Sequence, residues 1–190
     1  VLFTADHGDM LGDFSLWGKG CLSRSAQLNV PMMIANHPGL HDGSRSNCLA
    51  NNIDIPGTVL DIAGADRPIG VSRSLVQMLN SGSPQQRDVN FSEVGDCVKI
   101  VEDGARRYCY YPFTGFGEML RLDGCRDERI TINGDAELED KERRFLKDIV
   151  DFQAMNNGVR IKEKNLIPDT VAGVNAKHAN FPKAIPFSKN

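Results

Sequence analysis

The chain has 190 residues, of which 41% are hydrophobic, and its 22 basic and 25 acidic residues give a formal net charge of -3. This composition supports one substantial core, or a core with a small appendage, and excludes disorder on the scale of a domain. No basic stripe marks a nucleic-acid surface, and no apolar run reaches the roughly 20 residues of a membrane-spanning helix. The five cysteines, Cys21, Cys48, Cys97, Cys109 and Cys125, are widely spaced, odd in number and without a CxxC pair. Free thiols are therefore expected, not a zinc site or a complete disulfide framework.

Val1-Leu2-Phe3-Thr4-Ala5 reads as a buried strand that runs straight into Asp6-His7-Gly8-Asp9. An apolar run ending in an acid, an imidazole and a glycine is how a parallel sheet delivers polar side chains to its rim. A chain that opens inside a core strand, without Met, reads as the downstream piece of a longer protein. Gly8 to Gly20, with four glycines, reads as a long loop over the sheet edge. Val30-Pro31-Met32-Met33-Ile34-Ala35 predicts a second strand with Pro31 at its start, and Asn36-His37-Pro38-Gly39 a turn. Asp54 as cap, Pro56 in the first turn and Gly64 as stop predict a helix between them, and Ser72 to Asn80 predicts a shorter one. Ser81-Gly82-Ser83-Pro84 then marks a boundary.

Beyond it, four strand-like runs start at Val89, Cys97, Arg107 and Met119, with Gly and Asp between them, and predict an antiparallel meander. From Asp135 to about Met155, the residues Leu138, Phe145, Leu146, Ile149, Val150 and Phe152 form an apolar helical stripe that should cover one face of this sheet. The last 25 residues, with Pro168, Pro182 and Pro186, read as an irregular tail.

Asp6 and His7 are neighbours, and both can serve one ion only where the strand ends and the backbone turns, which Gly8 allows. A carboxylate and an imidazole supply two ligands of a hard or borderline divalent site, which needs two or more others. The plainer reading has Asp6 capping the loop and His7 packed on it. Lys19, flanked by Gly18 and Gly20, stands where the loop could fold back over the pair, and its ammonium would hold a sulfate or phosphate group. The plainer reading of Lys19 is a solvated loop lysine. Trp17 reads as a packing anchor for the loop.

Thr4-Ala5-Asp6-His7-Gly8-Asp9-Met10-Leu11-Gly12-Asp13, followed by Leu16-Trp17-Gly18-Lys19, closely resembles the second metal-binding motif of the sulfatases and their phosphonate and phosphate ester hydrolase relatives in the alkaline phosphatase superfamily. Val30 to Ile34 resembles that family's "VPLII" strand, Asn52 to Gly64 its "DI-PT-LLD-AG" helix, and Gly70 to Leu75 its "G-SL" turn. Arg107 to Tyr111 with Glu118 to Leu122 is similar to its C-terminal "KYI-Y…E-LYDL" sheet, so the resemblance covers roughly residues 1 to 150.

The resemblance implies an α/β fold: the downstream part of an alkaline-phosphatase-like sheet over residues 1–84, a small antiparallel-sheet subdomain with a packed C-terminal helix over 85–160, and an irregular tail over 161–190. It implies a metal-dependent sulfuric ester hydrolase acting on an anionic ester. Asp6 and His7 would be metal ligands, with calcium ahead of manganese or zinc, and Lys19 the catalytic contact to the sulfate or phosphate oxygens. The family's nucleophile, a formylglycine made from Cys or Ser in a C-x-P/A-x-R motif, and a paired-Asp metal motif are expected on the missing N-terminal half. None of the five cysteines lies in such a motif. The isolated chain is therefore expected to be inactive, and an exposed apolar strand edge to favour homo-oligomers. A phosphonate or phosphate ester hydrolase, or a non-catalytic sulfatase-like binding domain, are the alternatives. Phe14-Ser15 stands where many relatives carry His-Gly, and Cys21 to Asn29 departs from the family's "YE-S-RVP" segment.

Overall fold

The computed structural model describes residues 1–168 except 22, 41, 42, 44, 66–69, 80–86, 124, 125, 131, 133, 157, 158, 163 and 164. The boundary expected at Ser81 to Pro84, Cys125 and the end of the tail lie outside the described residues. The chain divides into two units, Val1–Phe152 and Gln153–Asn190.

The first unit is built on a five-stranded meander in sequence order, β3 (Asn90–Val94), β4 (Val98–Glu102), β5 (Arg106–Tyr111), β6 (Phe116–Asp123) and β7 (Arg126–Ile130), with each neighbour antiparallel to the next. The expected meander thus forms, with one strand more. The run Arg126-Asp127-Glu128-Arg129-Ile130 offers almost no apolar alternation, and it lies at the sheet edge, where charged strands discourage pairing with other chains.

Alternation along β4, β5 and β6 sorts the side chains onto two faces. Val101, Tyr108 and Met119 point to one face and are buried with Leu138, Phe145 and Ile149 of the helix α4 (Ala136–Asn156). Asp135 starts that helix by accepting the backbone N–H groups of Glu137 and Leu138 at 3.0 and 3.2 Å. Tyr108 donates its hydroxyl to Glu142 at 2.7 Å, and Phe152 stacks on Phe91 with centroids 4.1 Å apart. Val150, counted in the expected stripe, is instead 65% exposed, because it falls one residue past Ile149 and outside the buried arc.

Val98, Ile100, Cys109 and Leu120 point to the other face and meet Leu28 of the one-turn helix α1 (Ser25–Leu28). A second layer, absent from the sequence reading, therefore covers this face. Its clamp is Arg107, which is fully buried on β5: its guanidinium pairs with Glu102 at 2.7 Å and donates to the carbonyl of Ser23 at 3.1 Å and to the hydroxyl of Ser25 at 3.3 Å. Arg24 adds an ion pair to Glu118 of β6 at 3.5 Å.

Upstream, β1 (Leu2–Thr4) pairs with β2 (Met32–Ile34) in antiparallel register, Phe3 opposite Met33. The expectation of a buried strand in a parallel sheet is corrected here. Phe3 and Met33 are each 55% exposed, because this short pair packs on one side only among the described residues. Helices α2 (Ile55–Ile62) and α3 (Leu75–Leu79) follow, with Pro56 in the first turn of α2 as expected. Asp54 does not cap α2 with its side chain. Fully buried, its carboxylate accepts the N–H groups of Asn51 and Arg73 at 3.0 and 3.1 Å and pairs with Arg87. Burial pushes this carboxyl up and Arg87 pulls it back, so the pair joins three stretches of chain around one desolvated charge.

In the second unit, β8 (Val159–Lys162) pairs antiparallel with β9 (Asn165–Pro168). The tail expected to be irregular from residue 161 thus begins within a hairpin. Val-Arg-Ile-Lys alternates apolar and polar residues, and Pro168 sits at a strand end where its missing N–H costs least.

Two outcomes test this packing. Arg107→Met, which leaves Glu102 half-buried without its cation and frees the Ser23–Ser25 segment, is expected to lower stability by about 3 kcal/mol in urea unfolding. Asp103 is pushed up by burial, but Lys141 and the backbone N–H groups of Arg106 and Ala105 together hold its carboxyl below the ordinary 3.8. A lowered acid contributes stability above the unfolded value and loses it as pH falls through the folded one. Wild type should therefore lose more stability than Asp103→Asn on acidification below pH 3.8 in thermal melts.

Candidate functional site

The site forms where β1 gives out. Asn52, in a short 3-10 turn at Asn52–Asp54, donates its amide to the carbonyls of Ala5 and Asp6 at 2.8 and 3.2 Å, and the Thr4 hydroxyl donates to the Asn52 side-chain oxygen at 3.2 Å. The backbone that presents Asp6 and His7 is thus held from a point 46 positions downstream. Gly8 follows with its N–H donated to the carbonyl of Gln27 at 2.7 Å. A Cβ at Gly8 would stand 2.0 Å from the Ala26 carbonyl oxygen, so only glycine permits this approach.

The loop then folds back as expected. Met10 donates its N–H to the Gly18 carbonyl at 3.0 Å, and a turn over Asp13–Ser15 is closed by Gly12 to Leu16 at 2.9 Å. Three non-glycine residues, Leu11, Phe14 and Ser15, take positive φ of 44, 54 and 61° in this turn, a concentration of backbone strain typical of functional loops. Met10, only 2% exposed, anchors the loop. Trp17, expected to be the anchor, is 79% exposed and is corrected here; the unbranched, adaptable side chain of Met10 takes the buried position instead.

The doubled-back loop carries Lys19 to His7, with Nζ 2.8 Å from Nε2. His7 Nδ1 lies 2.9 Å from the Gly8 carbonyl oxygen. That carbonyl can only accept, so Nδ1 carries the proton and Nε2 offers its lone pair to the Lys19 ammonium. Asp6 Oδ2 lies 3.5 Å from the same Nε2. The Asp6 carboxyl is held below the usual carboxylate range, first by the His7 N–H donated to its Oδ1 at 3.0 Å, then by its proximity to the His7 ring and the Lys19 ammonium. All three residues named from the sequence therefore meet at one point, with Asp6 and His7 exposed to an incoming ligand.

The donor chemistry here, one carboxylate and one imidazole lone pair, fits a hard or borderline divalent cation but falls short of a full coordination sphere. Among the described residues, no group of three or more His, Cys, Asp or Glu side chains could hold a metal. Asp9, in the same loop, keeps a buried Oδ1 without a hydrogen-bond partner among the described residues. The residue that sequence reasoning missed is Asn52. Asn51-Asn52-Ile53-Asp54 reads locally as a helix start, and nothing local reveals that its amide reaches back to β1.

No family model matches the chain. It is 42% identical over 88 residues to a choline-sulfatase of Rhizobium meliloti (strain 1021), covering 42% of this chain and 16% of that protein. It is 25% identical over 172 residues to arylsulfatase K of Danio rerio, covering 84% of this chain and 32% of the relative. Among solved structures, the phosphonate monoester hydrolase SpPMH from Silicibacter pomeroyi matches with a TM-score of 0.66 and 24% identity over 88% of this chain and 38% of that one, a likeness of fold. The chain is thus similar in sequence to parts of two sulfatases and similar in fold to a phosphonate monoester hydrolase. It spans between 16% and 32% of the length of these two curated relatives.

Gly8→Ala tests the construction. The added methyl must part the loop from α1, with an expected loss of about 2 kcal/mol in thermal unfolding and of the His7–Lys19 contact in the His7 imidazole NMR signals.

Proposed function

We propose that the chain supplies one side of the catalytic centre of a metal-dependent sulfuric ester hydrolase. The meeting of Asp6, His7 and Lys19 carries this reading. Asp6 through its carboxylate and His7 through Nε2 would hold the divalent ion, with calcium ahead of manganese or zinc because the chain resembles the sulfatases. A bound ion would supply Lewis-acid polarisation of the ester oxygens. The remaining steps belong to this chain's own groups. The Gly8 carbonyl keeps the proton on Nδ1, so that Nε2 stays available. The Lys19 ammonium, once Nε2 is engaged, turns to the anionic ester and balances the charge that grows on it during transfer. The remaining ligands and the formylglycine nucleophile would come from a further, N-terminal part of the protein. The solvent-facing Phe3 and Met33 side chains of β1 and β2 offer that part an apolar surface.

Support comes from the two sulfatase relatives, which match this chain but are far longer. The phosphonate monoester hydrolase among the structural neighbours favours a second reading, hydrolysis of a phosphonate or phosphate ester at the same site. In either case the substrate is an anionic ester, the group Lys19 is suited to meet.

In the complete protein, Lys19→Ala is expected to lower kcat/KM for 4-nitrophenyl sulfate about a hundredfold, the typical cost of one electrostatic contact in the transition state. Unchanged turnover would remove Lys19 from the centre. Chelation should abolish activity and calcium restore it; restoration by manganese, with a phosphonate monoester as the better substrate, would select the second reading. The isolated 190-residue chain should turn over neither ester, and light scattering should show it self-associating through the uncovered β1–β2 face.

A further inference from the structure

Two side chains outside the Asp6–His7–Lys19 group meet at the tip of the site loop. Arg24 flanks the start of α1, its carbonyl accepting the N–H groups of Gln27 and Leu28 at 2.9 and 3.1 Å, and its guanidinium lies 5.7 Å from the centre of the Phe14 ring. That separation is a cation–π contact. Phe14 belongs to the Asp13–Ser15 turn, and more than half of it is exposed. On the sheet side, Arg24 Nη2 lies 3.5 Å from Glu118 Oε2 on β6. Glu118 is held in turn, because the Tyr111 hydroxyl donates to its Oε1 at 2.9 Å and Arg129 Nε lies 3.9 Å from its Oε2. Arg24 Nη1 is buried without a hydrogen-bond partner among the described residues, and the electron-rich face of an aromatic ring offsets part of that desolvation. Phe14 and the Cys21–Asn29 segment, the two places where the sequence leaves the family's pattern, thus touch each other.

We propose that Arg24 is a positioning residue of the anionic-ester site. Held by Glu118, it retains the Phe14 ring, and the strap so formed keeps the loop folded back with Lys19 seated on His7.

The path from Phe14 to Lys19 is short. Around Phe14 the turn closes by the Gly12 N–H donated to the Leu16 carbonyl at 2.9 Å, then by the Met10 N–H donated to the Gly18 carbonyl at 3.0 Å, and Lys19 follows directly. Phe14 keeps a φ of 54°, a conformation that is costly for a residue with a side chain and that a contact on its ring helps to maintain. The α1 segment therefore grips the loop at two points, by the Gln27 carbonyl at Gly8 and by the Arg24 side chain at Phe14. The effect on catalysis rests on the reading of Lys19 as the group that meets the ester. The strap itself is a property of the ligand-free loop.

The test follows the His7 Nε2 resonance in the full chain labelled with nitrogen-15 histidine, free of ligand and with a chelator present. The resonance is assigned by its absence from His7→Gln, and Lys19→Ala gives its position when the ammonium is gone. Phe14→Leu removes the ring and Arg24→Met removes the charge, each with little change of volume. Each is expected to move the resonance part of the way to the Lys19→Ala position. The double variant should move it no further than the larger single shift, because both residues act through one contact. Phe14→Tyr restores the ring and should match wild type. Phe14 is largely exposed, so Phe14→Leu and Phe14→Tyr give the answer even where loss of the Glu118 pair unfolds Arg24→Met. In the complete protein, Phe14→Leu and Arg24→Met should each lower kcat for 4-nitrophenyl sulfate about threefold, with KM changed less than about twofold, the size of one exposed cation–π contact felt in the transition state. A resonance unmoved in Phe14→Leu, shifts that add in the double variant, Phe14→Tyr behaving as Phe14→Leu, or an unchanged kcat in an active protein would overturn the proposal. The expected NMR pattern in a complete protein that turns over no ester would keep the strap and remove the hydrolase reading instead.

Discussion

The site depends on the approach of Gly8 to the Ala26–Gln27 backbone. There the chain leaving β1 touches the segment that Arg107 and Arg24 fasten to the five-stranded sheet, and no side chain fits between them. Remove that contact and Asp6 and His7 become the frayed end of a three-residue strand. With it, a carboxylate and an imidazole at a strand terminus inherit the rigidity of a sheet that begins only at Asn90, far downstream in the chain.

A second consequence follows from the way charges are buried. Arg107 and Asp54 are both fully buried, and each joins distant segments through several hydrogen bonds, not through one strong pair. Desolvating a charge is costly, and the cost is recovered only when the geometry satisfies the whole group. Such centres tolerate few arrangements of the chain. They fix where α1 and the Asn51–Asp54 turn sit, and hence where Gln27 and Asn52 can grip the strand end.

Local chemistry made much of this legible in the sequence. The apolar run ending in Asp6-His7-Gly8, the glycines that let the loop return Lys19, Pro56 at the start of α2 and the alternating runs of the meander all state their roles over a few residues. The features that escaped are those decided by distant partners. Asn52 looks like part of a helix start until its amide is seen on β1, and Arg107 looks like a strand surface residue until a second layer covers it. The charged strand β7 lacks alternation because an edge position rewards charge over burial. Trp17, expected as the loop's anchor on size alone, is exposed, and the buried side chain of the loop is Met10.

The most direct measurement is anomalous diffraction from crystals of the complete protein soaked with manganese and sulfate. A peak within bonding distance of both an Asp6 carboxylate oxygen and His7 Nε2, with the Lys19 ammonium moved off the imidazole onto the sulfate, is the predicted result. A metal bound elsewhere, with Lys19 still seated on His7, would contradict a shared cation at the end of β1.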